Sequence, residues 1–421
     1  MIFPYHKNVI CGCQNRIDVI MRILQRTAFC LFLTSSTSVY SADYQVIDLG
    51  LLTDGLFAKA WNINGSGAVV GETDTTGFLY QRGNIKSVGT LGGSASQAYS
   101  INDNNDIVGA SMTLSGSSNA FLARSGSIMV SLGTLGGNTS GAFSINNYGH
   151  IAGVAEDSSG NRRAFFYSAE IGMQNLGVLS TVGNESVAFS LNDSDVVVGW
   201  SRDSSGNQQA FLYDVEMTSL GTLGGLSSYA RDINNLGQIV GSSQQMSGIS
   251  SAFLYTDGNM INLGNLGGFF AEARAINDAG IVVGEGATSF GEMHAFIYKN
   301  GVMTELNNLI DAESGWSLAF AIDINENGQI VGAGNYNGAL HAYLLMPMPA
   351  TGTYGDGDLA PLGAPDGVVN VADYMVALQI VLGNVQPTIQ ELSHGDLYPV
   401  GAPDGQINLS DVLQLRSLII Q

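Results

Sequence analysis

Two stretches near the C-terminus carry oxygen ligands at matching positions. They read GDLAPLGAPDGVVNVADYMVALQIVLG (357–383) and GDLYPVGAPDGQINLSDVLQLRSLII (395–420). With a 38-residue offset, Asp358, Asp366, Asn370 and Asp373 match Asp396, Asp404, Asn408 and Asp411. Carboxylate and amide oxygens around a sharply turning glycine suit a hard cation, and calcium takes about six to eight such ligands. Asp-Gly, five residues and an acid, as in Asp366-Gly367…Asp373 and Asp404-Gly405…Asp411, is the second half of a calcium loop. The residues that follow, YMVALQIVL and VLQLRSLII, have apolar positions at helical spacing. The chemistry expected here is calcium binding on two loop–helix copies. The competing reading is a two-helix cap with Asp/Gly turns.

Elsewhere the chain is poor in reactive groups. The histidines number five. His294 and His341 occupy equivalent repeat positions, and His150 sits in a turn. No nucleophile elbow, HExxH or phosphate-cradling loop occurs. The three cysteines, Cys11, Cys13 and Cys30, lie near the N-terminus, so neither a disulfide framework nor a cysteine metal site extends beyond them. Net charge is −21, which removes the basic footprint that nucleic acid or an anionic membrane would need. Charged residues are 12 % against a usual ~25 %, and apolar residues are 45 %, which argues for a folded chain. Abundant glycine among short apolar runs suggests many strands and tight turns.

The elements that must position any site are written in a repeat. SINNYGHIAG (144–153) returns as SINDNNDIVG (100–109), DINNLGQIVG (232–241) and DINENGQIVG (323–332). Its asparagine recurs at Asn64, Asn102, Asn146, Asn192, Asn234, Asn277 and Asn325, 38 to 48 residues apart. A glycine follows each time seven residues later: Gly71, Gly109, Gly153, Gly199, Gly241, Gly284 and Gly332. Constant internal spacing in a variable period means one structural unit with tolerant loops.

Each unit contains four strand-sized pieces, A to D. In the fifth unit they are YARDIN (229–234), QIVGSS (238–243), SAFLYT (251–256) and MINLGNL (260–266). An NxxG turn joins A to B, with the asparagine bonding its own downstream backbone. Asp257-Gly258 marks the C–D hairpin. Strand A alternates: Ala142, Ser144 and Asn146 on one face, Phe143 and Ile145 on the other. The strand B glycine suggests close backbone approach or a bulge. Phe78, Phe121, Phe165, Phe211, Phe253, Phe296 and Tyr343 form a strand C stripe expected in the core. The LGG segments before strand A are expected as D–A loops, where Phe269 and Phe270 offer an apolar contact. Asp157 and Asp203 are expected in ordinary B–C turns.

Seven four-stranded units predict a mainly β fold, a seven-bladed β-propeller, over residues 43–347. The last unit lacks a D strand, and YQVIDLG (44–50) reads as one, so it is expected to complete the last sheet and close the ring. A β-solenoid is the alternative.

The units resemble HAF repeats, a "probable extracellular repeat" family, through LGTLGG (132–137 and 220–225), SIN, IVG and HAF (294–296). That resemblance covers about residues 44–347 and implies export without an agreed activity. The tail resembles the type I dockerin module, a small α-helical calcium-binding duplication whose loop runs DxNxDGxxNxxD. Its ligands carry over as Asp366, Asn370, Asp373 and the backbone oxygen of Val368. In the second copy they are Asp404, Asn408, Asp411 and the backbone oxygen of Gln406. Asp358 and Asp396 stand eight residues before the second Asp rather than four, and the middle DxN ligand is absent. Weaker calcium affinity is the expected consequence. The family implies a cohesin-like partner contacted near Val371-Ala372 and Leu409-Ser410.

Residues 1–42 contain a basic region, AFCLFL and a small-residue zone, as in a secretory signal peptide, and Met21 is the expected start. A linker (348–355) precedes the dockerin-like pair (356–421). No stretch after the signal is long enough to span a membrane. The expectation is an exported, calcium-binding, non-enzymatic protein. Its propeller would recognise a partner or glycan, and its tail would dock to a cohesin-like or cell-surface component. The rival is a component of extracellular polysaccharide breakdown tethered through the tail.

Overall fold

The computed structural model describes residues 43–50, 57–125, 127–348, 359, 369, 371–387 and 406–419. The expected signal region and most of the tail loops lie outside these.

In each unit the A–B turn forms as the residue types dictate, with glycine at its fourth place in five units and Asn105 or Asp195, also at positive φ, in the other two. Asn146 N–H donates to His150 O at 3.0 Å, and Gly149 takes φ 80° between them. At the C–D hairpin of the fifth unit Asp257 and Gly258 both have positive φ, 51° and 78°, the type I′ geometry that an Asp-Gly pair favours. Antiparallel pairing then runs A-B-C-D in order. The strands of the fifth unit are Gly224–Ile233, Ile239–Gln245, Ser250–Thr256 and Asn259–Gly264. Five sheets have four strands each, and an eight-stranded one is two such sets joined by a single parallel bridge, Ser250 to Phe270.

The last sheet is completed from the other end of the chain. Tyr44–Gly50 pairs antiparallel with Ala339–Pro347, from Tyr44 opposite Pro347 to Gly50 opposite Ala342. A core then forms between last and first sheets: Leu49, Val331, Ala342 and Leu344 meet Ala60, Ile63 and Phe78. Similar clusters lie between successive sheets, as where Val198 and Ala210 meet Ala230, Ile233 and Phe253. Consecutive four-stranded sheets with a ring closed by the N-terminal strand make this a β-propeller. The strand C aromatics are its core, at most 2 % exposed. Each contributes about 1.5–3 kcal/mol by burial.

Strand A departs from the alternation expected of it. In every unit its register against strand B slips by one residue, between Ala142 and Ser144 in the third and at equivalent places elsewhere. The bulged residue is Trp61, Tyr99, Phe143, Phe189, Arg231, Arg274 or Ile322. A bulge re-aims the side chains that follow it. Ala142 and Ile145 therefore both enter the inter-sheet core, while Phe143 and Ser144 both face the ring axis.

The same bulge explains the glycine of strand B. A Cβ on Gly241 would lie 1.9 Å from Tyr229 O and 3.0 Å from the Phe253 ring. At the other six glycines it would lie 1.9–2.2 Å from the matching strand A carbonyl. Bulge, glycine and phenylalanine are thus one packing solution.

The LGG segments are not free loops. Their glycines open long A strands such as Gly136–Ile145, where Gly136 pairs with Asp157 before the register breaks and resumes at Ser140. Extended pairing with the end of strand B satisfies backbone groups that a loop would leave to solvent. Phe269 is 70 % exposed there. Asp157 and Asp203 each accept two backbone N–H groups in their own turns, as ordinary turns require.

In the tail, helix α1 (Val371–Val381) and helix α2 (Leu409–Ile419) share an apolar core of Leu359, Ala377, Ile380, Ile407, Val412 and Leu415.

Candidate functional site

Strand A is the innermost strand, so its axial edge has no strand partner and its N–H groups must be satisfied otherwise. Side chains of neighbouring units do this in tiers. Each repeat asparagine uses both halves of its amide. Its Oδ1 accepts the N–H four residues on, at 2.9–3.1 Å, which holds the turn. Its Nδ2 donates to the backbone oxygen of the next unit's asparagine, at 3.0–3.2 Å, from Asn64 to Asn102 and onward to Asn325. Asn325 then donates to Asn64 O at 3.0 Å, and the cycle is closed.

A second tier lies one residue on. Gly65 N–H donates to Asp103 Oδ1, and the series continues through Asn147, Asp193, Asn235 and Asp278 to Glu326, at 2.8–3.0 Å. It stops there because Gly65 has no side chain to receive the last bond. A third tier lies two residues before the asparagine. Asn62 Oδ1 accepts from Ile101 N–H at 2.8 Å, Asp232 Oδ2 from Ile276 N–H at 2.9 Å and Asp323 Oδ2 from Ile63 N–H at 2.8 Å.

Within these tiers lies an axial cavity of about 340 Å³. The bulge residues form its wall. Trp61, Tyr99, Phe143 and Phe189 make an arc of successive ring contacts, with centroids 5.6, 5.4 and 5.9 Å apart. Arg231 continues the arc, its guanidinium 4.5 Å from the Phe189 ring centre. A second space of about 260 Å³ shares Asn62, Ser100, Ser144, Ser190, Asp232 and Asp323 with the first and reaches the mouth at Asp103, Asn147, Asp193 and Asp278.

Arg231 and Arg274 are held by buried acids. Arg231 Nε lies 2.9 Å from Glu272 Oε1, and Arg274 Nη2 lies 3.0 Å from Glu272 Oε2. Arg274 Nε donates to Glu285 at 2.8 Å, and Ser242 Oγ donates to Glu272 at 2.8 Å. Burial alone would raise Glu272, but the two guanidinium groups hold it below the ordinary carboxylate range. Burial raises Glu285 despite Arg274. Burial also raises Asp232, and it lifts Asp323 well above its ordinary value, with the Asp232 charge adding to the effect. Lys59 is lowered by burial and then by Arg274, and its Nζ lies 4.0 Å over the Trp61 ring.

Of the expected metal ligands, the described residues include Asp373, Gln406, Asn408 and Asp411. Asp373 and Asp411 take the same place in the first turn of their helices and are 0 % and 1 % exposed. Leu359 N–H donates to Asp373 Oδ1 at 2.6 Å, and Asn408 N–H donates to Asp411 Oδ2 at 2.8 Å. Asn408 Oδ1 accepts from Ser410 N–H at 2.8 Å, an N-cap on α2. Gln406 is exposed. Asp358, Asp366, Val368, Asn370, Asp396 and Asp404 lie outside the described residues. Among the described residues no three His, Cys, Asp or Glu side chains converge as a metal site. The histidines pair with acids: His294 Nδ1 lies 2.8 Å from Glu305, His341 Nδ1 lies 3.1 Å from Asp48, and His150 Nδ1 lies 2.7 Å from Asp195.

Residues 136–267 match a family described as "Protein of unknown function (DUF3466)". No curated protein matches the chain. Among solved structures, the chain is similar to the extracellular domain of a one-component system from B. thetaiotaomicron, at 9 % identity and TM-score 0.47. That match covers 77 % of this chain and 43 % of the other, so this chain spans under half of that protein's length. The β-propeller domain of the Trilobed protease from Pyrococcus furiosus matches at 12 % identity and TM-score 0.44, covering 69 % of this chain and 95 % of that one. TolB from Acinetobacter baumannii matches at 12 % identity and TM-score 0.39, covering 68 % and 63 %. The propeller assignment above rests on strand order and ring closure.

Sequence reasoning missed the axial wall. Reading strand A as unbroken alternation hides the bulge. A signal was present: Arg231, Arg274 and Glu272 fall on strand A, and Glu285 on strand B, in a chain with only 12 % charged residues. Charges on strands of such a repeat must either face solvent or form a buried network.

Proposed function

We propose that the chain is an exported, non-enzymatic binding protein. A seven-bladed HAF-repeat propeller receives a small ligand in its axial cavity, and a dockerin-like tail binds calcium and docks to a cohesin-like or cell-surface partner. The axial cavity carries the reading. It combines an aromatic arc with a few fixed polar groups in a volume of about 340 Å³, as small-molecule sites do. Its carboxylates Asp232 and Asp323 already accept structural hydrogen bonds, which suits recognition better than proton transfer. The blade count is supported by the asparagine cycle, which returns to Asn64 after seven members.

Calcium in the tail is supported by an all-oxygen donor set. It is also supported by the identical burial of Asp373 and Asp411, each with one carboxylate oxygen already oriented by a backbone N–H. Docking is supported by paired apolar exposure. Val371 and Leu409 are each 63 % exposed, and Met375 and Leu413 are 49 % and 56 % exposed, at positions the duplication makes equivalent.

Calorimetric titration of the full chain with calcium should show about two ions per chain. Asp373→Ala with Asp411→Ala should remove that binding and leave strand signals unchanged. No heat, or heat unaffected by the double variant, would leave the tail as a plain cap. A screen of polysaccharides should give no turnover. Turnover abolished by changing acids of the axial wall would replace the binding reading with a catalytic one.

A further inference from the structure

The described wall of the axial cavity has hydrogen-bonding capacity left over, and the groups that stand out are donors. Arg231 uses only its Nε–H, toward Glu272, and neither of its Nη groups has a hydrogen-bond partner among the described residues. Arg274 uses Nε toward Glu285 and Nη2 toward both Glu285 and Glu272, and leaves Nη1. Trp61 Nε1 also lacks a partner among the described residues, but it is sealed off, so Trp61 contributes its ring to the wall rather than a donor. All three residues line the same cavity.

Open acceptors are fewer than open donors there. Asp232 receives Ser190 Oγ–H at 2.7 Å and Ile276 N–H at 2.9 Å. Asp323 receives Asn62 Nδ2–H at 2.6 Å and Ile63 N–H at 2.8 Å, both on Oδ2, which leaves Oδ1. Sugar hydroxyls both donate and accept, so they would need open acceptors to match the open donors. A group that only accepts needs donors alone. The open side of a guanidinium fork matches two carboxylate oxygens held in one plane. Arg231 is already fixed, stacked 4.5 Å from the Phe189 ring centre and tied to Glu272, so little side-chain freedom is left to lose on binding. The neighbouring aromatic arc offers apolar surface to whatever the carboxylate is attached to.

We propose that the axial cavity binds a small organic carboxylate, with its oxygens on the Nη groups of Arg231 and its CH-rich or aromatic body along the arc from Trp61 to Phe189. The inference rests on reading the axial cavity as the binding site. Hexuronic acids and aromatic acids share this chemistry, and the test separates them.

The full chain would be titrated by calorimetry with galacturonate and benzoate, and with their neutral counterparts galactose and benzamide, each up to about 10 mM. Tryptophan emission would be followed in parallel, with the Trp61 share taken by difference from Trp61→Phe. At least one acid should bind about tenfold or more tightly than its neutral counterpart, which identifies the body as sugar or aromatic. Arg231→Gln should remove that preference. Because the change also disturbs Glu272, Trp61→Phe serves as a second variant. It puts a smaller ring at the head of the arc, where the acid's body would lie, and should weaken the acid several-fold with unchanged Tm. Neutral compounds binding as well as the acids, or an acid unaffected by both variants, would overturn the carboxylate assignment and leave the cavity as a site of other specificity. No heat and no change in tryptophan emission with all four compounds would overturn the cavity reading itself.

Discussion

Two rings of side chains stand three residues apart on the same strand, and they behave in opposite ways. The asparagine ring is identical in all seven units, and every member makes the same pair of bonds, within its own turn and to the next unit. The bulge ring shares one backbone geometry but carries tryptophan, tyrosine, phenylalanine, arginine and isoleucine. The first ring meets a need that recurs at every inner strand, so only one residue type serves. The second is free of that need, because the bulge fixes direction without fixing chemistry. Within this chain, sameness between units marks architecture and difference marks the place where recognition can be written.

The largest effect expected is at the buried acid that serves the arginine part of the second ring. Glu272→Ala leaves Arg231 and Arg274 without their shared partner and should cost about 3–5 kcal/mol in denaturant unfolding. A loss below 1 kcal/mol would mean that solvent already screens the cluster. Next is the glycine that makes the bulge possible. Gly241→Ala puts a methyl 1.9 Å from Tyr229 O and should cost about 1–3 kcal/mol, measured the same way. The comparison itself is tested by a matched pair. Asn146→Ala removes an acceptor of two N–H groups and a donor to Asn192 O, and should cost about 1–3 kcal/mol. Phe143→Leu, three residues earlier, should cost under about 1 kcal/mol, because the ring is only half-buried, with one side on Val154, Val187 and Trp200 and the other on the cavity. Equal costs would erase the distinction between the rings.

The smallest effect has the opposite sign. Folded Asp323 holds its proton to higher pH than unfolded Asp323 does. Its contribution is therefore present below the ordinary Asp value, about 3.9, and is lost as pH rises through the raised folded value. Asn cannot titrate and still offers an oxygen to Ile63 N–H. The Tm of Asp323→Asn minus that of the parent should grow as pH climbs through that window. A gap that stays flat would show that Asp323 titrates alike in both states.

Much of this was legible in the sequence because its causes are local. The NxxG turns, the Asp257-Gly258 hairpin and the phenylalanine stripe follow from what neighbouring residues can do together. The closing strand was legible because one unit lacked a piece and the other end of the chain supplied it. The bulge was not, since Ala142, Phe143, Ser144 and Ile145 read as clean alternation unless the pairing with Ala152 and Gly153 is known. The second use of the asparagine amide was hidden for a different reason: its partner is 38 to 48 residues away, or 261 for the bond that closes the cycle. The charged half of the axial wall showed only as charges out of place. In the tail the spacing of Asp373 and Asp411 anticipated their shared setting, whereas nothing in it foretold that Asn408 caps α2.

Closing the ring with Tyr44–Gly50 also sets a clock. Asp48 and His341, which face each other across that seam, are 293 residues apart in the chain. Contacts of that span form slowly, since most of the chain must already be ordered before the two ends can meet. The seam is therefore expected to be the last step of folding and, once made, to hold back unfolding without hastening folding. A weakened seam would show first as a shorter lifetime of the native state.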